Sequence, residues 1–295
     1  MSHPKIGVVG IPGKWSTELL ADELAALTGY RLVIDLAAIR ADLADGSLWF
    51  NDINLCQLDG LVVKKVNETY SPDMLDRLAL LGMAEKQGVR IFSPTAGILA
   101  LVNRLSCTMA LQAANIPMPP TAIATGVEEA FHSVMAFNKA ILKPHYSSKA
   151  RGMTVVDLAD GEEKVKASLV AFHHDNPTMY IQQMLDLPGQ DLGLAFLGGQ
   201  YLGTYARVSQ GSAWNTTIHS GGKYAAYTPS DDIIAIAQKA QSIFGLDFTT
   251  VDVAETANGP VVFEVSAFGG FRGAKEGIGI NAAADYARYV VNQIS

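Results

Sequence analysis

The sequence predicts a mixed α/β (α+β) fold, with a small parallel α/β unit at the N-terminus and a longer α+β region after it. Residues 5–92 alternate buried-strand patterns with helical patterns, which is typical of a parallel α/β unit. Residues 179–227 instead carry several strand patterns in succession. Apolar residues make up 49% of the 295 residues and charged residues 17%, so the chain can bury a large core.

The N-terminal unit is predicted from its periodicity. Strand patterns lie at 5–10, 32–36, 60–64 and 89–92, and helical patterns lie at 16–27 and 72–87. The unit is predicted to end near Ser93-Pro94. A helix at 103–114 then leads to the segment IPMPPT, whose prolines exclude a helix and favour an extended crossing between units.

The α+β region is predicted to be rich in strands. They are expected at 139–143, 153–157, 179–183, 191–197, 200–208, 216–219, 223–227, 249–257 and 260–266, with helices at 161–174, 230–244 and 281–293. The segment between the last strand and the last helix contains many glycines and is predicted to be a loop.

Net charge and cysteine content exclude several classes of partner. The formal net charge is −7 and the pI is about 5.3, so nucleic acid and anionic membranes are predicted to repel the chain. Two cysteines are too few for a disulfide framework, and their spacing does not suggest zinc. The first apolar run is short and interrupted, so the sequence predicts neither a signal peptide nor a membrane span. We therefore expect a cytoplasmic protein.

The strands 249–257 and 260–266 carry the strongest functional signal. A two-residue turn at Asn258-Gly259 would place Asp252 and Glu264 on opposite faces, whereas a three-residue loop with Gly259 in the left-handed conformation pairs them on one face, with Ser266 nearby. Opposed carboxylates among apolar neighbours repel unless they are protonated or bridged by a cation, for which Mg²⁺ is the usual choice. The alternative is a solvent-exposed hairpin face.

A second signal follows the strand 139–143. Lys143 ends this apolar strand and is a poor core residue unless it reaches an anion. The loop after it offers Ser147, Ser148, Lys149 and Gly152, whose hydroxyl, cationic and backbone N–H groups could cover a triphosphate. An ordinary polar turn is the alternative. By contrast, residues 10–16 (GIPGKWS) lack the GxxxxGK[ST] spacing and predict no phosphate loop.

Two weaker signals lie between these motifs. The strand 179–183 runs into a polar hinge, where backbone groups of Gln183 and Met184 could bind adenine and Asp191 could reach a ribose hydroxyl. Arg207, near the end of a later strand, could hold a phosphate or a carboxylate, and a solvated hairpin is the alternative.

The order of these motifs, over about residues 89–295, resembles the ATP-grasp superfamily and its RimK-like amino-acid ligase branch. The segment FEVSAFGGFRGAKEGIGINAAADYARYVV carries the resemblance most specifically. The KARGM loop and the GAKEG segment also resemble a group of ATP-grasp proteins from a GAK gene system. The resemblance implies an N-terminal α/β domain (1–95) and two α+β subdomains (96–181 and 182–295) that clasp a nucleotide.

The resemblance also implies roles for individual residues. Lys143 would contact the α- and β-phosphates of ATP, the loop from Ser147 to Gly152 would cover the triphosphate, and Arg207 would neutralise the transferred phosphate. Adenine would bind at Gln182, Gln183 and Leu185, with the ribose near Asp191. Asp252 and Glu264 would hold Mg²⁺, with Mn²⁺ as an alternative. Two positions depart from the family pattern, because Arg104 replaces a nucleotide-binding lysine and Ser266 replaces a metal-binding asparagine.

The implied reaction is an ATP-dependent carboxylate–amine ligation through an acyl phosphate, with ADP and phosphate as products. The partners would be a small-molecule or peptide carboxylate and an amino acid such as glutamate. Arg272 and Lys275 are candidates for holding a substrate carboxylate, and solvated loop charges are the alternative. A small-molecule kinase and a nucleotide-binding regulator of weakened activity are the rival functions. Members of the superfamily often form homo-oligomers, so the resemblance allows one here, and the sequence leaves the oligomeric state open.

Overall fold

A computed structural model of the chain describes residues 3–148, 150–209, 216 and 221–294. Its N-terminal unit contains β1 (Ile6–Val9), α1 (Trp15–Thr28), β2 (Val33–Ile34), β3 (Ile39–Asp42), β4 (Ser47–Phe50), β5 (Ile53–Asn54), β6 (Gly60–Val63), α2 (Asp73–Lys86) and β7 (Arg90–Phe92). The strands β2-β1-β6-β7 form a parallel sheet in that order, which confirms the predicted parallel α/β unit.

The strand order of this sheet creates a crevice. The chain leaves β1 towards β2 on one side and later adds β6 on the other side, so the order reverses between β1 and β6. Ligands of open α/β sheets bind outside the carboxyl ends of the strands at such a switch point. The strands β1 (IGVV) and β6 (GLVV) are buried along their whole length, as expected for a parallel sheet covered on both faces.

An antiparallel sheet, β3-β4-β5, interrupts the parallel unit between β2 and β6. The sequence patterns did not predict it. Its strands have two to four residues, too short for a period of two to be recognised. Residues 43–46 join β3 to β4, and Gly46 at the end of this turn has φ +74°.

The central unit is built on a second sheet. It contains α3 (Thr95–Val102), α4 (Arg104–Ala113), β8 (Thr121–Ala124), α5 (Val127–Phe137), β9 (Lys139–Lys143), β10 (Thr154–Asp157), α6 (Glu162–Asp175) and β11 (Met179–Gln183). The sheet order is β10-β9-β11-β8, all antiparallel, and apolar residues of α5 and α6 cover one face. Among the described residues no single helix is long and apolar enough to cross a membrane, and only the pair α3 and α4, bent by 103°, passes that test of length and composition together.

The C-terminal unit holds the longest strands. It contains β12 (Gln190–Leu197), β13 (Gln200–Val208), β14 (Lys223–Ala226), α7 (Asp231–Ser242), β15 (Phe248–Thr256), β16 (Gly259–Ser266), α8 (Phe271–Ile278) and α9 (Ala282–Ile294). The antiparallel order is β14-β13-β12-β15-β16. Residues 217–219 of the predicted strand 216–219 lie outside the described residues. The predicted glycine-rich loop is wrong in part, because α8 occupies it.

The hairpin of β15 and β16 pairs Asp252 with Glu264 as predicted, but its turn and its register differ from the prediction. Residues 257–258 alone form the turn, so the expected three-residue loop is wrong. Gly259 does have a positive φ, at +105°. A β-bulge at Phe263 shifts the register by one residue, and this shift brings Asp252 directly opposite Glu264.

A buried carboxylate joins the units. Asp247, which precedes β15, accepts hydrogen bonds from the backbone N–H of Ser93 (2.5 Å), from Arg90 (3.3 Å) and from the Tyr289 hydroxyl (2.8 Å). Ser93 follows β7 and has φ +65°, a conformation that this bond holds in place. The N-terminal sheet, the C-terminal sheet and α9 are therefore tied together at one side chain.

Candidate active site

Two arginine–carboxylate pairs lie on the hairpin of β15 and β16. Arg207 Nη2 is 3.0 Å from Asp252 Oδ2, and Arg104 Nη1 is 3.3 Å from Glu264 Oε2. The side chains of Asp252 and Glu264 are 25% and 37% exposed, so the hairpin face is not the open solvent-facing surface of the alternative interpretation. The pairing neutralises two carboxylates that register alone would leave facing each other.

Arg207 is held by a second carboxylate, that of Asp191. The two residues are directly paired between β12 and β13, and Arg207 Nε donates to Asp191 Oδ1 at 3.1 Å while its Nη2 contacts Asp191 Oδ2. Thr216 also donates to Asp191, at 2.5 Å. The structure therefore places Asp191, 8% exposed, as a partner of Arg207. Its predicted ribose contact stays a prediction.

Asp252 shares its arginine with another carboxylate, because Arg207 is paired with both Asp252 and Asp191. Burial raises the pKa of Asp252 to about 6, with further upward contributions from Asp191 and Glu264 that Arg207 opposes. A group in this position is stabilised as a carboxylate when another cation arrives. The site is thus prepared for added positive charge.

The donor set of this site fits a hard divalent cation. Asp252 and Glu264 offer carboxylate oxygens, and Ser266, paired with Thr250 two positions along the hairpin, offers a hydroxyl. Magnesium prefers such oxygens and takes few from protein, leaving its other positions to phosphate and water. The described residues contain no cluster of three or more His, Cys, Asp or Glu side chains that could hold a metal alone. This donor set suits a metal that arrives with phosphates.

Lys143 is a buried cation at the end of β9. Its side chain donates to the side-chain amide oxygen (Oε1) of Gln182, and its ammonium lies 5.5 Å from the centre of the Phe263 ring on β16. Burial, with the repulsion of Arg104, lowers the pKa of Lys143 to about 7. The residue therefore stands between the central sheet and the β15–β16 hairpin, where an anion would stabilise its charged form.

The hinge after β11 restricts which backbone groups could bind adenine, and the predicted adenine contact stays a prediction. The backbone N–H groups of Gln183 and Met184 bond to the carbonyls of Pro120 (2.8 Å) and Lys139 (3.0 Å). An adenine contact at this hinge must therefore use carbonyl oxygens or the half-buried Leu185. The side chain of Gln182 is buried and supports Lys143.

Arg104 connects the loop after β9 to the hairpin. Besides Glu264, its guanidinium contacts the Pro144 carbonyl and the Ser147 hydroxyl, both at 3.2 Å. Its planar fork bonds three protein groups at once, and the predicted correspondence with a nucleotide-binding lysine stays a prediction. Arg104 therefore fixes the loop after β9 against the β15–β16 hairpin.

The rest of that loop is partly described. Ser148 is half-buried and its carbonyl accepts from Arg151 N at 3.3 Å. Gly152 has φ +66°, which glycine adopts without strain. Lys149 lies outside the described residues.

Arg272 and Lys275 lie on α8, not in a loop. The Arg272 Cζ and the Lys275 Nζ are each 5.5 Å from the centre of the Trp15 ring on α1, and Arg272 is 3.6 Å from Glu276. The charges of both Arg207 and Arg272 act on the pKa of Tyr224, which burial raises. Tyr224 thus lies near both Arg207 and Arg272.

The comparisons with known proteins settle the family. A family profile described as the RimK-like ATP-grasp domain matches residues 102–290, more than half of the chain. The chain belongs to the RimK-like ATP-grasp family. The finer resemblance to the GAK-system group stays a prediction.

Relatives of this RimK-like chain are ligases. It is 23% identical to the tetrahydromethanopterin:alpha-L-glutamate ligase of Methanosarcina acetivorans, over 98% of this chain and 99% of that protein. It is 25% identical to the ribosomal protein bS6–L-glutamate ligase of Salmonella paratyphi B, over 72% and 71% of the two chains. These activities confirm the expected reaction class, an ATP-dependent carboxylate–amine ligase.

Solved structures confirm the ATP-grasp fold. The ATP-grasp ligase PsnB, solved with a phosphomimetic variant of its minimal precursor, Mg and ADP, matches with a TM-score of 0.78 at 15% identity over 99% of this chain and 100% of that chain. A RimK domain protein from Sphaerobacter thermophilus matches with a TM-score of 0.75 at 20% identity, over 97% and 98%.

Sequence reasoning missed two side chains of this RimK-like site. Tyr70 packs edge-on against Phe268, with ring centres 6.1 Å apart, and burial raises its pKa while the charge of Glu264 acts on it. Lys64 is buried at the end of β6 and donates to the Gly269 carbonyl at 2.6 Å. The sequence carries a signal for Lys64, because this lysine, like Lys143, ends an apolar strand pattern.

Proposed function

We propose that this RimK-like ligase uses ATP and Mg²⁺ to activate the carboxylate of a small-molecule or peptide acceptor and joins it to the amino group of glutamate. The arrangement of Asp252 and Glu264 carries the proposal, because each faces the other across the hairpin and each is paired with an arginine. Glutamate is proposed because the relatives named above are glutamate ligases. Mn²⁺ shares the oxygen preference of Mg²⁺ and stays an alternative.

The bond changes follow from the products. An acceptor carboxylate oxygen attacks the γ-phosphorus of ATP, ADP leaves, and an acyl phosphate forms. The amine nitrogen then attacks the acyl carbon, phosphate leaves with the bonding electrons, and the nitrogen loses a proton. When bound at Asp252, Glu264 and Ser266, Mg²⁺ would neutralise phosphate charge.

The protein contributes positioned charge. Arg207 is fixed by Asp191, so its guanidinium is oriented before a phosphate arrives. Lys143 and Arg104 approach the same hairpin from the central unit. Burial disfavours the charged form of Lys143, and a bound anion would stabilise that form. These cations would stabilise the charge on the transferred phosphoryl group, with little covalent chemistry required of the chain.

We propose three domains, residues 1–95, 96–181 and 182–295, and assign the binding of nucleotide and acceptor to different domains. The three larger sheets lie within residues 6–92, 121–183 and 190–266, and β11 passes the second boundary. On this division the central and C-terminal units hold the nucleotide, and the N-terminal unit faces the acceptor. The predicted homo-oligomer and cytoplasmic location stay predictions.

A coupled assay of ADP release tests the function. ADP should form over many turnovers only when both a carboxylate acceptor and an amino acid are present, and Asp252→Asn should abolish it. The acceptor alone should give at most one ADP per active site, whereas continued release of ADP without any amine would identify a kinase. ATP binding without turnover across a broad panel of acceptors and amino acids would identify a regulator, and either result would overturn the proposal.

A further inference from the structure

A segment at the start of the central unit carries no charge. Residues 105–127 run from α4 through the proline-rich crossing and β8 to the first residue of α5, and they contain no Asp, Glu, Lys, Arg or His. Because 17% of the whole chain is charged, about four charged residues would be expected in a segment of 23. This is the longest such run in the chain.

Most of this uncharged segment lies at the surface. Five of its residues are buried, and the others are exposed or half-buried. The buried ones are Cys107, Leu111, Ile116, Pro119 and Ala124. The centres of protein–protein interfaces are depleted of charged residues relative to ordinary protein surface, and they are enriched in methionine and aromatic residues. The segment therefore has the composition of an interface.

Two large apolar side chains of the segment are exposed, and they lie on neighbouring elements. Met109 on α4 is 62% exposed and Ile123 on β8 is 41% exposed. Tyr180 of β11 connects the two elements, because it is directly paired with Ile123 and its hydroxyl is 2.9 Å from that of Thr108 on α4. The exposed side of α4 and the outer edge of β8 thus adjoin. We call the exposed part of residues 105–127 the uncharged surface.

The strand β8 also offers main-chain hydrogen-bonding groups. In the described part of the chain it is the last strand of the order β10-β9-β11-β8, so one of its sides has no neighbouring strand. The Gln183 N–H bonds to the Pro120 carbonyl at 2.8 Å, and in an antiparallel pair every second residue bonds to the same neighbour. The N–H and C=O groups of Thr121 and Ile123 therefore point away from β11.

The edge of β8 lacks the usual protection against pairing. Soluble proteins commonly place charged side chains, above all lysine, on an exposed edge strand, because its unpaired main-chain groups are a template for another strand. The sequence of β8 is TAIA, with no charged residue. Since the strand has only four residues, a second strand would pair with it over a short ladder, and α4 would supply the rest of the contact.

The lack of charge indicates which partner the surface fits. In a two-fold contact between identical chains, residues near the axis meet their own counterparts, so a charged residue there would face an equal charge. The uncharged surface avoids this repulsion, although each copy has a net charge of −7. An antiparallel strand edge is also complementary to itself. A standard interface takes about 20–30 residues a side, and this segment of 23 can supply most of them.

We propose that the uncharged surface is the contact between two copies of this chain related by a two-fold axis. The β8 strands of the two copies pair antiparallel through the main-chain groups of Thr121 and Ile123, which joins the two central sheets into one, and Met109 of each copy is covered. Glu128, in the first turn of α5, pairs with Lys166 at 3.5 Å, and this pair belongs to the charged rim of the contact.

Sedimentation velocity at several protein concentrations tests this contact. The wild type should sediment as a dimer, at twice the 31.5 kDa mass of the chain. Met109→Glu with Ile123→Glu should raise the dimer Kd at least about a hundredfold, because like charges would meet across the axis. The control is Met135→Glu with Val170→Glu, which adds the same charge at apolar positions of α5 and α6 that are 42% and 57% exposed, and the dimer should persist.

A cross-link measures the same contact in a chain that keeps its surface uncharged. Ile123→Cys in a Cys56→Ser background should give a covalent dimer with a bismaleimide whose reactive groups are about 8 Å apart, because facing and diagonal positions of paired strands lie within that distance. The remaining Cys107 is buried. Val170→Cys in the same background should stay a single chain on a denaturing gel.

Each outcome decides the proposal. A wild type that stays monomeric at the highest concentration reached would show that a different partner, or none, covers the surface, and this result overturns the proposal. A dimer that survives Met109→Glu with Ile123→Glu, or one that Val170→Cys cross-links as readily as Ile123→Cys, overturns it as well. If the double glutamate variant loses its far-UV circular dichroism, the cross-linking yields of the two cysteine variants decide.

Discussion

Replacing Lys143 with methionine should stabilise the nucleotide-free protein and remove its nucleotide binding. The folded state lowers the pKa of Lys143 from 10.5 to about 7, chiefly through burial. Linkage converts a shift of this size into about 3 to 5 kcal/mol of unfavourable folding free energy at neutral pH. The substitution leaves the Gln182 amide oxygen without its donor, which costs about 1–3 kcal/mol. We expect a net gain of about 2 kcal/mol at pH 7.

The gain should depend on pH with a defined sign. The unfolded chain holds the Lys143 proton up to a higher pH than the folded chain does, so the wild type gains stability as pH rises from about 7 towards 10.5. The advantage of Lys143→Met over the wild type should therefore be largest near pH 7 and shrink on the alkaline side. Urea unfolding of both proteins at several pH values measures the difference in their free energies of unfolding. The contributions of the other titrating groups are the same in both proteins and cancel in this difference.

The control is Lys139→Met, on the same strand. Lys139 is 46% exposed and pairs with Asp157, so its loss should change stability by less than about 0.5 kcal/mol at every pH. Nucleotide binding supplies the second readout, since ATP at about 100 times its Kd stabilises a binding-competent protein by about 2.7 kcal/mol. A Lys143→Met protein that is less stable than wild type, or that ATP still stabilises, would refute the reasoning.

Three further changes test other parts of the structure. Asp247→Ala should lower the free energy of unfolding by about 3 kcal/mol in urea, because it removes the carboxylate that accepts from Arg90, the Ser93 N–H and Tyr289. Asp252→Asn, or chelation of divalent ions in the wild type, should abolish the ATP-induced rise in Tm. Gly273→Ala should destabilise by about 2–3 kcal/mol, since its Cβ would lie 2.2 Å from the buried Tyr205 ring, whereas Gly270→Ala meets no atom within 4 Å and should be tolerated.

Periodicity predicted most long elements to within one or two residues, because buried faces impose a regular spacing. It failed where structure depends on distant partners. The helix α8 has two glycines, Gly273 and Gly277, whose missing Cβ atoms make room for Tyr205 on β13. No local pattern reports such a contact, so the glycines were interpreted as a loop.

The sequence predicted which residues lie in the candidate site better than it predicted the contacts between them. The pairing of Asp252 with Glu264 was expected, but from a loop length that does not occur, and the bulge at Phe263 produces it instead. Bulges are set by tertiary packing and leave no local signal here. The bonds from Arg207 to Asp191 and from Arg104 to Ser147 join residues 16 and 43 positions apart, which no pattern within one element could reveal.

The packing of α9 on α1 has a consequence for biosynthesis. Leu20 and Leu24 of α1 share a cluster with Tyr286 and Val290 of α9, and Ile294 reaches Gly60 of the first sheet. A nascent chain emerging from the ribosome therefore exposes this apolar face of its first unit until residues 282–294 are synthesised. Chaperones that shield apolar surface during translation would find their binding site there, and it would vanish when the last helix docks.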